Sequence, residues 1–350
     1  MTDSIRAAFR RQAELCEAVG SPLTGRVIAT LAETLDATTR TGARILDWPT
    51  DPLIDALPLR ICGGLNALVR GGHDAELAQL YATRAGDFAG VLTRGVREWD
   101  DRLYPWLDSA PQTNEVARSG VLWPGMMEVA RRFGPRIELL ELGASGGLNL
   151  NMDRFGYDLA GVKSGDPASG VQLAPAWDGP PSPFAPVEVV ARKGVDLNPL
   201  DVTDPAVSER MLAYIWPDQS ERVARAEAAM VIARAHPPLI EAGDGATWIE
   251  AQLPRPQAEG VTRIVYHSIA LQYFPPPDRA RVIAALRVAG ASATAARPLA
   301  WLFMEFRDTV STAPDLCLQC WPGSGEIETL AHVHPHGARI EWVVDTNPRF

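Results

Sequence analysis

The chain has 350 residues, 46% hydrophobic and 22% charged, long enough to bury one large core or two of moderate size. Acidic residues outnumber basic ones by 43 to 33, a formal charge of −10, and no basic run tracks a phosphate backbone, which argues against nucleic acid as a partner. The first turns carry Arg6, Arg10, Arg11, Glu14 and Glu17 in place of an apolar signal core, and no uncharged run approaches the ~18 residues of a membrane span. Cys16, Cys62, Cys317 and Cys320 are too few to staple a chain of this length. The expected setting is cytoplasmic, with no membrane partner.

Apolar residues first recur at helical spacing, as Ile5, Phe9, Cys16 and Val19, and again as Leu23, Val27, Leu31 and Leu35 after a Ser21-Pro22 start signal. Helical stretches follow at about 59–70, 74–84, 86–103 and 114–133, so residues 1–135 are expected to form an all-helical N-terminal cap. The pattern changes over 136–350. Apolar runs at Ile137–Leu142, Val187–Val190 leading to Val195-Asp196, Leu239-Ile240, Arg263–Ala270 and Leu299–Phe306 alternate with helical segments at 205–215, 218–235 and 278–289. That alternation predicts an α/β domain with a doubly wound, mostly parallel sheet. Leu316–Trp321 and Ile340–Val344 read as a C-terminal antiparallel hairpin at its edge, making seven strands. Residues 151–186, with Pro167, Pro175, Pro180, Pro181, Pro183 and Pro186, read as an irregular insertion after the first strand.

The stretch IELLELGASGGLNLN, residues 137–151, admits two chemistries. Gly143-Ala144-Ser145-Gly146-Gly147 satisfies G-x-S-x-G, which would make Ser145 the nucleophile of a serine hydrolase, with a histidine such as His334 as base. Together with Glu141 the same residues form E-x-G-x-S-x-G, a loop suited to a nucleotide-like cofactor. A nucleophile elbow lies deep in its sheet, after a strand whose loop supplies an oxyanion-hole amide, whereas this turn follows the first strand. Glu141 would be costly to bury without a partner, and a positively charged ligand group would provide one. A dinucleotide fingerprint fits worse, because positions 143, 145 and 148 are Gly143, Ser145 and Leu148. Cys317-x-x-Cys320 with His332, His334 and His336 lacks the spacing of a zinc site, and no metal is expected.

The glycine stretch resembles the first loop of the class I, Rossmann-like S-adenosylmethionine-dependent methyltransferases. Glu141 stands in the acidic position, Gly143 and Gly147 in glycine positions, and Ser145, after Ala144, where a second glycine is commoner. Gly194-Val195-Asp196-Leu197-Asn198-Pro199 resembles the end of that family's second strand, which implies that Asp196 accepts hydrogen bonds from ribose hydroxyls. Gly243-Asp244-Gly245 resembles the loop whose acid, here Asp244, reaches the adenine amino group. Val265-Tyr266-His267-Ser268 matches the end of the fourth strand, which implies that Tyr266 and His267 lie near the sulfonium and the substrate. The stretches LGASGGLNLNMDRFGYDL, GVDLNPLDV and WPDQSER are similar to a bacterial family with this core and no defined biochemical function. The resemblance implies S-adenosylmethionine as cofactor and methyl transfer to a small molecule, with His267 the candidate general base. A domain that senses the cofactor without turnover is the alternative.

Overall fold

The computed structural model describes residues 2–308 and 311–344, which fall into two compact units. One takes the residues up to Thr113 together with Asp204–Ala224, and the other takes Asn114–Thr203 and the chain from Arg225 onward. None of the described helices is long and apolar enough to cross a membrane.

The first unit is helical: α1 (Thr2–Ala18), α2 (Pro22–Thr34), α3 (Arg40–Leu46), α4 (Leu57–Arg70), α5 (Ala75–Thr83), α6 (Phe88–Glu98) and the single turn α7 (Asp100–Leu103). Their apolar faces meet in a core that includes Phe9, Leu31, Ile61, Leu65, Leu77 and Leu92. Asp74 and Asp87 cap α5 and α6 by accepting from the amides of Leu77 and Gly90. Ser21 precedes α2 but makes no cap bond; the Asp218 carboxylate accepts instead from the amides of Leu23 and Thr24, at 3.2 and 3.0 Å. Asn66 donates to the carbonyls of Ala213 and Ile215, both at 3.0 Å, which fastens the 204–224 segment to α4.

In the second unit α8 (Ser119–Phe133) leads into β1 (Arg136–Leu142). The insertion that follows holds β2 (Gly156–Leu159), β3 (Val162–Gly165) and β4 (Gln172–Leu173), which pair as a separate small sheet, and then β5 (Ala176–Asp178). Next come β6 (Glu188–Asp196), α9 (Pro205–Ala213) of the helical unit, α10 (Ser220–Ala235), β7 (Ile240–Ala242), α11 (Gly245–Gln252), β8 (Thr262–Ser268), α12 (Pro276–Ala291) and β9 (Leu299–Glu305). The chain closes on β10 (Asp315–Trp321), β11 (Glu328–Val333) and β12 (Arg339–Trp342).

Among the described residues the main sheet has nine strands, not the expected seven, in the order β5-β12-β11-β10-β9-β8-β1-β6-β7. The parallel centre is β7, β6, β1, β8 and β9, and β10 to β12 continue antiparallel. Two strands account for the difference. Glu328–Val333 carries Glu328, Thr329 and His332 and reads as the turn of a hairpin, yet it pairs on both sides, while three-residue β5 is hidden in the proline-rich insertion and pairs with β12. Alternation along β9 sends Leu299 and Trp301 into a core with Val282 and Leu286 of α12. It turns Leu302 to the opposite face, where a Cβ on Gly125 of α8 would lie 2.6 Å from Leu302. Helices therefore cover both faces. Crossovers from β1 run first to β6 and β7, then return to β8 and β9, so the strand order reverses between β1 and β8.

Candidate functional site

The loop after β1 is built on three left-handed residues, Gly143 (φ +70°), Ser145 (φ +53°) and Gly147 (φ +66°). The amides of Gly143 and Ala144 donate to the Val195 carbonyl at 2.9 and 3.0 Å, which anchors the loop to β6. Asp196 completes the attachment: one carboxylate oxygen accepts from the Ser145 amide at 2.8 Å and the other from the Asn198 amide at 2.9 Å. A Cβ on Gly143 would meet Ala270 at 2.6 Å, and one on Gly147 would meet Ile240 and Pro238 at 2.7 Å. The close approach that demands glycine here is made by the protein's own side chains. Buried Ala144 likewise fills the space beside Gly194.

Glu141 is 2% exposed, and the Tyr266 hydroxyl donates to it at 3.0 Å. Burial pushes its carboxyl up to about 8 despite that hydrogen bond, with the charge of Asp196 adding to the rise, so Glu141 is mostly protonated at neutral pH. Tyr266 is itself fully buried.

His267 is fully buried and both its ring nitrogens are engaged. Nδ1 lies 2.7 Å from Glu305 Oε1, and Nε2 accepts from the Trp301 indole at 3.0 Å, a pattern that fits the neutral Nδ1–H tautomer. Both nitrogens of the residue expected from the sequence to act as general base are thus engaged within the protein. Glu305 Oε1 also accepts from the amides of Ala270 and Leu271, at 2.8 and 2.9 Å. Its Oε2 is buried and has no hydrogen-bond partner among the described residues. Burial raises the Glu305 carboxyl, and the hydrogen bonds from His267, Ala270 and Leu271 act against that rise.

Asp244 lies at the far edge of the parallel centre, after β7, and caps α11 by accepting from the amide and hydroxyl of Thr247 at 2.8 and 2.7 Å. Those hydrogen bonds keep its carboxyl below the usual range. Ser145 is 7% exposed and its hydroxyl has no partner among the described residues. His334 Nδ1 accepts from the His336 amide, and no hydrogen bond joins the Ser145 hydroxyl to a histidine among the described residues.

The structure thus brings Glu141, Gly143, Ala144, Ser145, Gly147, Asp196, Tyr266 and His267 to the carboxyl ends of β1, β6 and β8, and leaves Asp244 to one side. It adds residues that sequence reasoning missed. Asn114 accepts from the Leu148 amide at 2.7 Å, Asn149 from the Ser119 hydroxyl at 2.7 Å, and Arg118 donates to the carbonyls of Ser268 and Pro335 at 2.9 and 3.0 Å. Asn114, Arg118 and Ser119 lie where the spacing predicts a helix from about 114, yet the α-helix starts only at Ser119. Ile269, a β-branched residue at φ +50°, follows β8 in a conformation such residues seldom adopt.

No curated protein and no solved structure matches the chain. A family model described as an uncharacterized protein conserved in bacteria (DUF2332) matches residues 6–342, nearly the whole length, and the chain belongs to that family.

Proposed function

We propose that the second unit binds S-adenosylmethionine in the crevice outside the carboxyl ends of β1 and β8 and directs its methyl group to a small-molecule acceptor. The observation that carries this reading is the coincidence of a left-handed glycine loop with the reversal of strand order, the position at which open α/β sheets bind their ligands. Two oxygens there suit a polar ligand: the Ser145 hydroxyl and one carboxylate oxygen of Glu305, neither with a partner among the described residues. Asp196 adds a partly buried carboxylate for ribose hydroxyls, and neighbouring Leu197, 71% exposed, offers an apolar surface to a flat ring. Asp244 stands at the third strand end for an exocyclic amino group. When bound, the cofactor supplies an electrophilic methyl on a sulfonium; the residues contribute binding, alignment and exclusion of water.

The engagement of both His267 nitrogens favours a second reading, in which the crevice senses the cofactor without turnover. Titration calorimetry of the full chain with S-adenosylmethionine and with its demethylated product tests the shared claim. One molecule of each is expected per chain, in competition with the other; absence of binding by both overturns it. Incubation with methyl-labelled cofactor and a panel of small nucleophiles then separates transfer from sensing.

A further inference from the structure

We propose that Glu305, at the end of β9, is the residue that receives the ammonium group of an amino-acid ligand tail in this crevice. The inference rests on the reading above and names the charged contact within it. Glu305 Oε1 is saturated by the His267 ring and the amides of Ala270 and Leu271, at 2.7, 2.8 and 2.9 Å. These bonds fix the carboxylate's position and favour its ionised form. Oε2 is nonetheless buried with no donor among the described residues, on a side chain only 11% exposed. A buried anionic oxygen without a partner is costly, and the group that relieves it is a donor carrying positive charge. In S-adenosylmethionine two groups are positive, the sulfonium and the α-ammonium, and only the ammonium has N–H bonds to give.

Location agrees with this assignment. The Ala270 amide that binds Glu305 belongs to the residue packed against Gly143, so the carboxylate is tied to the strand-end loop that meets the glycine turn. Ile269 N donates to the Met304 carbonyl at 2.7 Å, which fixes that loop to β9. Glu141, the acid first expected to meet a ligand cation, is already bonded to Tyr266 and deeply buried. His267 is then a positioning residue, holding Glu305 through Nδ1 while Trp301 holds His267 through Nε2.

The test compares S-adenosylhomocysteine, which carries the amino-acid tail, with 5′-methylthioadenosine, which lacks it. In the full chain, Glu305→Gln is expected to weaken the first by about 10- to 100-fold, as for loss of a charge-assisted hydrogen bond, and to leave the second within about twofold. Equal weakening of both ligands assigns Glu305 a merely structural role and overturns the proposal, as does equal affinity of variant and wild type for S-adenosylhomocysteine. Failure of the wild type to bind either ligand removes the functional reading and this inference with it. If the glutamine variant does not fold, Glu305→Asp, which keeps the charge but draws it back by one methylene, is expected to show the same selective loss in smaller measure; no selectivity there counts against the proposal equally.

Discussion

Glu141 ends a central strand as an acid in its protonated form, and this has a consequence for stability. Its carboxyl is raised from 4.5 to about 8 in the folded chain. Unfolded chains release this proton near the ordinary value and folded ones hold it to about 8, so stabilisation present below the ordinary value is lost as pH rises through that window. Wild type is therefore expected to lose stability between about pH 5 and pH 8 by more than Glu141→Gln, which keeps an acceptor for Tyr266 and cannot ionise. The difference should be on the order of a few kcal/mol. Urea unfolding of both proteins at the two pH values measures it, and parallel losses would contradict the assignment. At this scale the glycine turn was legible because few residue types tolerate left-handed backbone. The state of His267 was not: its partners Trp301 and Glu305 lie 34 and 38 positions away and meet it only through the pairing of β8 with β9.

Helix α2 shows how a local signal and a long-range contact differ within one element. Ser21 before Pro22 reads as a cap, yet the cap bonds are made by Asp218, 195 positions from Leu23. Asp218→Ala is expected to lower stability by about 1–2 kcal/mol, as for loss of a helix cap, and Ser21→Ala by less than half as much. Chemical denaturation of the two variants decides; a larger loss at Ser21 would restore the local reading. Elements with strong periodicity, such as β1, β8, β9 and α12, were legible to within a few residues. Those missed were short or mixed in polarity: three-residue β5, eight-residue α11, and β11, whose Glu328 and His332 find partners in Arg132 and Asp315 rather than solvent. Nothing in the local sequence announces such pairings.

For the whole chain, the alternation of strands and helices after residue 136 identified the α/β class, because each parallel crossover needs a helix to cover the sheet. It did not reveal that residues 204–224, read from the sequence as part of that alternation, belong to the helical unit, since their attachment depends on side chains such as Asn66 and on Asp218. The central functional claim is also one of location: a nucleoside ligand sits where the strand order reverses. Hydrogen–deuterium exchange of the full chain, with and without saturating S-adenosylhomocysteine, addresses it directly. The expected result is slowed exchange at the amides of 143–147, 196–198 and 269–271, the three loops at the ends of β1, β6 and β8, with little change elsewhere. Unchanged exchange in these loops, or protection confined to residues before 114, would contradict it.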